Sequence, residues 1–126
     1  MKRVTMLLVA GLILLAAALP TIRAGAQPAV VTDDNLNQMI TDAKTPADHN
    51  AIAAYFEQEA ADAMKKAALH KNSADTYRKM RLSKPVYMAE MCDGIAAGFE
   101  KTATDANDLA KMHHEMAKKA GSTTGQ

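Results

Sequence analysis

The chain of 126 residues has few of the residues that build aromatic cores or covalent frameworks. It contains no tryptophan, two phenylalanines and three tyrosines, which excludes a core built mainly from large aromatic side chains. Its one cysteine, Cys92, has no partner for a disulfide within the chain. The 15 basic and 14 acidic residues give a net charge of +1, so no excess of positive charge indicates a nucleic-acid partner.

A long apolar run occurs only at the N-terminus. Lys2 and Arg3 precede apolar residues 4–19, and Ala24-Gly25-Ala26 follows them. This pattern predicts a secretory signal peptide, residues 1–26, with cleavage after Ala26. An uncleaved anchor is the alternative, but the run is shorter than the roughly 20 residues that span a bilayer. We expect a secreted, periplasmic mature chain of 100 residues with no transmembrane span after cleavage.

A 23-residue segment occurs twice, as residues 49–71 and, 43 positions later, as residues 92–114. Ten of the 23 positions are identical, and the shared residues include one isoleucine, one phenylalanine and one histidine in each copy. An internal repeat in a chain of this length predicts two structurally equivalent elements that pack on each other.

Residues 27–44 are predicted to form a short N-terminal helix and a linker. The helix spans about Asp33 to Ala43, because its apolar residues recur at helical spacing. Thr32 is the expected N-cap. The apolar face of this helix requires a surface to cover.

Residues 45–121 are predicted to form a helical hairpin. Thr45, Pro46 and Asp48 have the pattern of a capping box at the start of a second helix, which runs to about Arg81. Pro85 begins a third helix, because proline is favoured in the first turn. This helix runs to Ala120 and stops at Gly121, and residues 122–126 form a disordered tail.

The predicted fold class is all-α: a long antiparallel, alanine-rich hairpin that resembles a coiled coil, with the short N-terminal helix added. Each long helix places an alanine at every seventh residue, and this period predicts close packing with a left-handed supercoil. Five larger residues widen the apolar face beyond a two-helix contact: Ile52, Met88, Ile95, Leu109 and Met116. The first helix and a second copy of the hairpin are the expected covers, the latter giving a dimeric four-helix bundle.

A turn near Arg81 fixes the residues expected to face each other. The predicted middle layers pair each phenylalanine with an alanine, which suits dense packing. The outer layers pair His49 with His113 and His70 with Cys92. The four predicted pairs are His49 with His113, Phe56 with Ala106, Ala63 with Phe99, and His70 with Cys92.

The outer layers are candidate metal sites. His70 and Cys92, with Met88 one turn away, offer the imidazole, thiolate and thioether donors that suit copper, or zinc if a carboxylate joins them. His49 and His113 form the second candidate. The alternative is structural, because methionine commonly fills helical cores. His114 points about 100° away from His113 and is expected to be solvated.

Gly94 and Gly98 lie in the interior of the third predicted helix, where each glycine costs about 1 kcal/mol relative to alanine. We therefore expect another element to approach this face, either the first helix or a dimer partner.

The sequence favours a non-enzymatic structural or interaction protein of the cell envelope that binds a protein partner or itself. A periplasmic protein that binds copper or zinc through the His, Cys and Met residues above is the alternative. No cofactor is otherwise indicated, since the haem attachment motif CxxCH is absent. An enzyme is the least favoured class, because no inward carboxylate pair or nucleophile–base spacing occurs.

Overall fold

The computed structural model describes residues 29–81 and 83–123 and shows an all-α hairpin. Helix makes up 85% of these described residues, and no strand occurs among them. The helices are α1 (Leu36–Asp42), α2 (Pro46–Lys79) and α3 (Pro85–Thr123). The long helices α2 and α3 pack against each other, and α1 packs on α2. The predicted helical hairpin is therefore confirmed.

Two predicted segments fall partly or wholly beyond the described residues. The signal peptide, residues 1–26, lies outside them, and so do residues 124–126 of the predicted tail. Among the residues described, no helix combines the length and the apolar character needed to cross a membrane.

The start of α2 is fixed by the predicted capping box. The backbone N–H of Asp48 donates to Thr45 Oγ1 at 3.2 Å, and the Asp48 carboxylate accepts from the Thr45 N–H at 2.9 Å. It also accepts from the Lys44 N–H at 3.0 Å, and these backbone hydrogen bonds hold the pKa of Asp48 below its usual value. These bonds satisfy N–H groups that the helix itself leaves without partners.

The prediction for α1 was wrong in its boundaries and its cap. The helix begins at Leu36, and residues 33–35 form a turn before it. The Thr32 side chain does not cap it. Instead, the Asn35 side chain accepts from the Thr32 N–H at 2.7 Å and donates to the Val30 carbonyl at 2.9 Å, which stabilises the turn.

The end of α3 also differs from the prediction, because the helix continues through Gly121 to Thr123. No glycine among the described residues has positive φ, so Gly121 does not form the left-handed cap that stops a helix. The Ser122 and Thr123 hydroxyls donate to the Lys119 and Ala120 carbonyls, which satisfies carbonyl groups at this end.

The core between α2 and α3 consists mainly of alanine. All nine alanines of the two predicted seven-residue rows are buried. Small side chains allow the helix backbones to approach closely, which compensates for the scarcity of large core residues. The rows are Ala53, Ala60, Ala67 and Ala74 on α2, and Ala89, Ala96, Ala103, Ala110 and Ala117 on α3.

The helix α1 covers one apolar patch on α2. Ile52 is fully buried there, and partly buried Leu36 and Met39 of α1 pack against its cluster. The Tyr55 hydroxyl donates to Asp33 Oδ1 at 2.7 Å, which ties the turn before α1 to α2.

Candidate functional site

A histidine pair lies at the end of the hairpin opposite the turn. The Nδ1 atoms of His49 on α2 and His113 on α3 are 3.3 Å apart, as the predicted register requires. Phe56 stacks on His113 with ring centroids 6.0 Å apart. Burial, together with the neighbouring His49 and His114, lowers the pKa of His113. The site therefore favours a neutral imidazole at His113.

The expected His70–Cys92 layer is not joined in this way. His70 stacks on Phe99, with ring centroids 5.7 Å apart and an angle of 18° between the planes. Cys92 is a free, half-buried thiol, and no hydrogen bond joins it to His70 within the described residues. Helical side chains lean toward the N-terminus of their own helix. In an antiparallel pair, His70 and Phe99 therefore lean toward each other, whereas Cys92 leans away from His70, toward the turn.

The two ring pairs occupy equivalent places in the sequence. Phe99 lies 43 residues after Phe56, and His113 lies 43 residues after His70. Each stack thus joins the phenylalanine of one copy of the 23-residue segment to the histidine of the other copy. In one stack the phenylalanine is on α2, and in the other it is on α3.

The donors for a metal are sparse around the predicted ligands. Among the described residues, no group of three or more His, Cys, Asp or Glu side chains is placed to hold a metal ion. Met88 is half-buried, while Met112 and Met116, beside His113 in sequence, are exposed. Of the five predicted ligands, His49 and His113 are the pair in direct contact through their ring nitrogens.

One side of the hairpin is polar, and we call it the polar side. His114 lies there with its side chain 42% exposed, so the expected solvation is found in part. It also bonds to Asn50 Oδ1 at 3.1 Å and Glu57 Oε1 at 2.9 Å, contacts that were not predicted. Two further pairs link the helices on this side, Lys71 with Glu100 and Arg78 with Asp93. The spacing of seven or 14 residues between pairs shows that they follow one edge of each helix.

The other side carries an exposed apolar surface on α3. Its eight positions follow each other at alternating steps of four and three residues, from residue 91 to residue 116. Five of them carry large apolar side chains that are 41–55% exposed, and one is a glycine. Thr102 and Asp105 occupy its two central positions. We call this surface the α3 stripe; its members are Met91, Ile95, Gly98, Leu109, Met112 and Met116.

The α3 stripe and α1 lie on the same side of the hairpin. Thr102, at the centre of the stripe, lines one groove together with Asp33 and Tyr55 of the α1 attachment. Within the described residues, however, α1 packs on α2 alone. Ile52 is therefore 0% exposed, whereas Ile95, 43 residues later, is 44% exposed.

Two of the three glycines of α3, Gly94 and Gly98, face open space. A Cβ atom added at Gly94 or Gly98 would meet no other atom within 4 Å. The expectation that the first helix approaches this face was therefore wrong, because α1 is already occupied on α2. Nothing among the described residues offsets the helix-propensity cost of these two glycines.

The comparisons with known proteins give no relative: no protein-family model matches this chain, and neither a curated protein nor a solved structure matches it.

The sequence also contained the pattern that produces the α3 stripe, although that pattern includes no candidate ligand histidine or cysteine. Residues 91–116 have apolar or small residues at coiled-coil spacing on a second face of α3, beside the alanine row. The spacing did not show whether α1 would cover α2 or α3, because Ile52 and Ile95 occupy equivalent positions on the two helices.

Proposed function

We propose that this protein is an exported, non-enzymatic interaction protein of the cell envelope that binds a helical partner through the α3 stripe. The single observation that carries the proposal is the row of five large apolar side chains, 41–55% exposed, on one helix of a small hairpin. An exposed apolar surface of this kind is typical of a protein–protein contact. Its coiled-coil spacing fits a partner helix best.

The two sides of the hairpin support this proposal. The polar side carries paired charges that water solvates well, and such pairs add little to binding. The α3 stripe lacks paired charge over most of its length, and Asp105 is the one acidic residue in it. Binding along the stripe would remove apolar area from water without breaking ion pairs on the polar side.

Site-specific photo-cross-linking in cells that naturally produce the protein tests this function. We expect a photoreactive residue at Met112 to give a defined covalent adduct, because this side chain lies in the stripe. The control is Met64, which is 49% exposed on the polar side of α2 and should give no adduct. Adducts of equal yield at both positions, or none at Met112, would contradict the proposal.

The expected export has its own test. The signal-peptide pattern of residues 1–26 supports an envelope location, and cleavage leaves Gln27 as the first residue. Mass spectrometry of the protein from the envelope fraction should give a chain that begins at Gln27. A chain that keeps Lys2 and Arg3 would identify an uncleaved anchor instead.

Metal binding is the second candidate, and the His49–His113 contact is the observation that favours it. Two imidazole nitrogens 3.3 Å apart are close enough to serve one ion of copper or zinc. Zinc sites use at least three protein ligands, and the described residues supply only these two imidazoles here.

Calorimetric titration of the mature protein with zinc, and with copper(I) without oxygen, tests the second candidate. Uptake that is lost in His113→Gln and retained in Cys92→Ala would support the histidine pair. Absence of heat with both metals, or equal uptake by wild type and His113→Gln, would exclude it.

A further inference from the structure

We propose that the occupant of the α3 stripe is a second copy of this chain, bound α3 against α3 in an antiparallel, twofold-symmetric dimer. This inference rests on the proposed function and names the partner. The symmetry axis passes between Thr102 and Asp105, so that each residue of the stripe faces a different residue of the second copy.

The length of the stripe requires a long helix as the occupant. From Met91 to Met116 the stripe covers 26 residues, or about 38 Å along the axis of α3. The helix α1 has seven residues and is already attached to α2 through Tyr55 and Ile52. Of the residues that the structure describes, only α3 of another molecule presents an unpartnered apolar helix face of matching length.

The antiparallel register makes large side chains face small ones. It places Leu109 of one copy opposite Gly98 of the other, where an added Cβ would meet no atom within 4 Å. It also pairs Ile95 with Met112 and Met91 with Met116, so all five large side chains of each copy are covered. Matching a large residue to an empty position allows dense packing without strain.

Asp105 distinguishes this register from its neighbours. In the proposed register Asp105 faces Thr102 of the second copy. The Thr102 hydroxyl donates to the Gly98 carbonyl at 3.1 Å in the single chain, and in the dimer it would turn to donate to the carboxylate instead. A shift of seven residues in either direction would place Asp105 against Ile95 or Leu109. Neither side chain has a hydrogen-bond donor for the carboxylate, so its burial there would be costly. A parallel pairing would place Asp105 against Asp105 and Gly98 against Gly98, combining repulsion with a gap.

Charges beside the stripe are complementary in the same register. Lys101 and Asp108 lie along one flank of the stripe, one turn on either side of its centre. Antiparallel packing brings Lys101 of each copy next to Asp108 of the other, which gives two opposite-charge pairs by symmetry. In the single chain Lys101 bonds to Asp105 at 2.5 Å and Lys111 bonds to Asp108 at 3.2 Å, and all four side chains are 57–75% exposed. Such exposed pairs are worth little, so they can exchange for the intermolecular pairs at small cost.

The same face of α2 is not suited to this contact. Asp48, Lys66 and Ser73 stand 43 residues before Met91, Leu109 and Met116, respectively. The apolar surface is therefore specific to α3. Because each molecule has one such surface and the contact is twofold, association closes at two copies instead of continuing into a filament.

Sedimentation velocity of the mature chain, residues 27–126, tests the dimer. We expect a concentration-dependent dimer in the wild type. Leu109→Lys introduces the residue found 43 positions earlier and removes the side chain opposite Gly98; it should raise the dissociation constant at least about tenfold. Met64→Lys is the control, since Met64 is exposed on the polar side to a similar extent as Leu109 is on the stripe. It should leave the dissociation constant unchanged. Far-UV circular dichroism checks that both variants keep their helix content.

Cysteine cross-linking tests the register in a Cys92→Ser background. With Ile95→Cys and Met112→Cys in one chain, oxidation should give a covalent dimer, because these positions face each other. Ile95→Cys alone should not, because its two copies lie about 25 Å apart in the antiparallel arrangement. A dimer cross-linked by Ile95→Cys alone would overturn the antiparallel register.

The outcomes separate this inference from the proposed function. A chain that stays monomeric at all concentrations, but forms a Met112 adduct with another protein, would overturn self-association and leave the interaction function standing. A chain that is monomeric and gives no Met112 adduct would overturn both. Equal loss of dimer in Leu109→Lys and Met64→Lys would show that the stripe is not the contact.

Discussion

His113 combines the roles of core residue and titratable group at the open end of the hairpin. It is 8% exposed, stacked on Phe56 and in contact with the imidazole of His49. Most of the surrounding core is alanine, so this cluster holds much of the large-residue packing between the helices at that end. Protonation of both imidazoles would place two positive charges within hydrogen-bonding distance of each other.

The stability of the hairpin should decrease on mild acidification. The pKa of His113 is lowered in the fold from its ordinary value of 6.5, so the unfolded chain binds more protons as the pH falls through this window. The melting temperature should therefore be lower at about pH 5 than at about pH 7.5, where carboxylates are ionised in both cases. Thermal melts followed by circular dichroism measure this difference. It should become smaller in His113→Leu, and an unchanged pH dependence in that variant would contradict the assignment.

Tyr55 is the residue that reports the attachment of the N-terminal segment. Its hydrogen bond to Asp33 and the charge of that carboxylate disfavour the phenolate and raise the pKa of Tyr55 to about 12. In a spectrophotometric titration, one of the three tyrosines should ionise near this value. Asp33→Asn should move that step toward about 10, the ordinary tyrosine value. No movement in Asp33→Asn would show that the segment is not held by this bond in solution.

At the scale of the element, the contact between α2 and α3 depends mainly on small residues, the alanines. Ala53, Ala74 and Ala96 are each 0% exposed, so no room remains for a longer side chain at these positions. Alanine also has the highest helix propensity, and the same residues therefore favour the helices and their close approach. The scarcity of aromatic residues is a consequence of this mode of packing.

Adjacent alanines on α3 provide a matched test of this packing. Ala96→Leu should destabilise the fold by about 1–3 kcal/mol, because the added atoms must displace α2. Ala97→Leu, at an exposed position, should change the free energy of unfolding by less than about 0.5 kcal/mol. Urea unfolding of both variants measures the difference. Equal effects of the two substitutions would mean that the alanine row is not the contact.

Local signals and contacts between helices were not equally accessible to sequence reasoning. The capping box at Thr45 and the break before Pro85 were predicted, because each depends on a few neighbouring residues. The His49–His113 contact was predicted from the register. The His70–Phe99 stack was not, because it depends on the lean of side chains along the helix and not on which positions share a layer. The attachment of α1 to α2 depends on tertiary packing that spacing does not encode.

At the scale of the molecule, the two sides of the hairpin have different roles. The polar side links α2 and α3 by charged and polar pairs, and the opposite side presents the α3 stripe and α1. Exposed ion pairs contribute little stability individually. They do, however, join particular residues, and so favour one relative position of the two helices over others.

The Lys71–Glu100 pair offers a test of that positional role. Lys71→Glu should cost up to about 1 kcal/mol, because it places two carboxylates together. The exchanged pair, Lys71→Glu with Glu100→Lys, should recover most of this loss. A double-mutant cycle of urea unfolding free energies measures the coupling. Additive single substitutions would show that the pair does not form in solution.

The alanine rows have a consequence for the alignment of the two helices. Rows that repeat the same small residue every seven positions would let α3 slide along α2 by one repeat with little steric hindrance. The two ring stacks, the two ion pairs Lys71–Glu100 and Arg78–Asp93, and the His114–Glu57 hydrogen bond are contacts that such a slide would break. Removing several of them together should therefore give a chain of normal helix content with staggered ends, and not an unfolded chain.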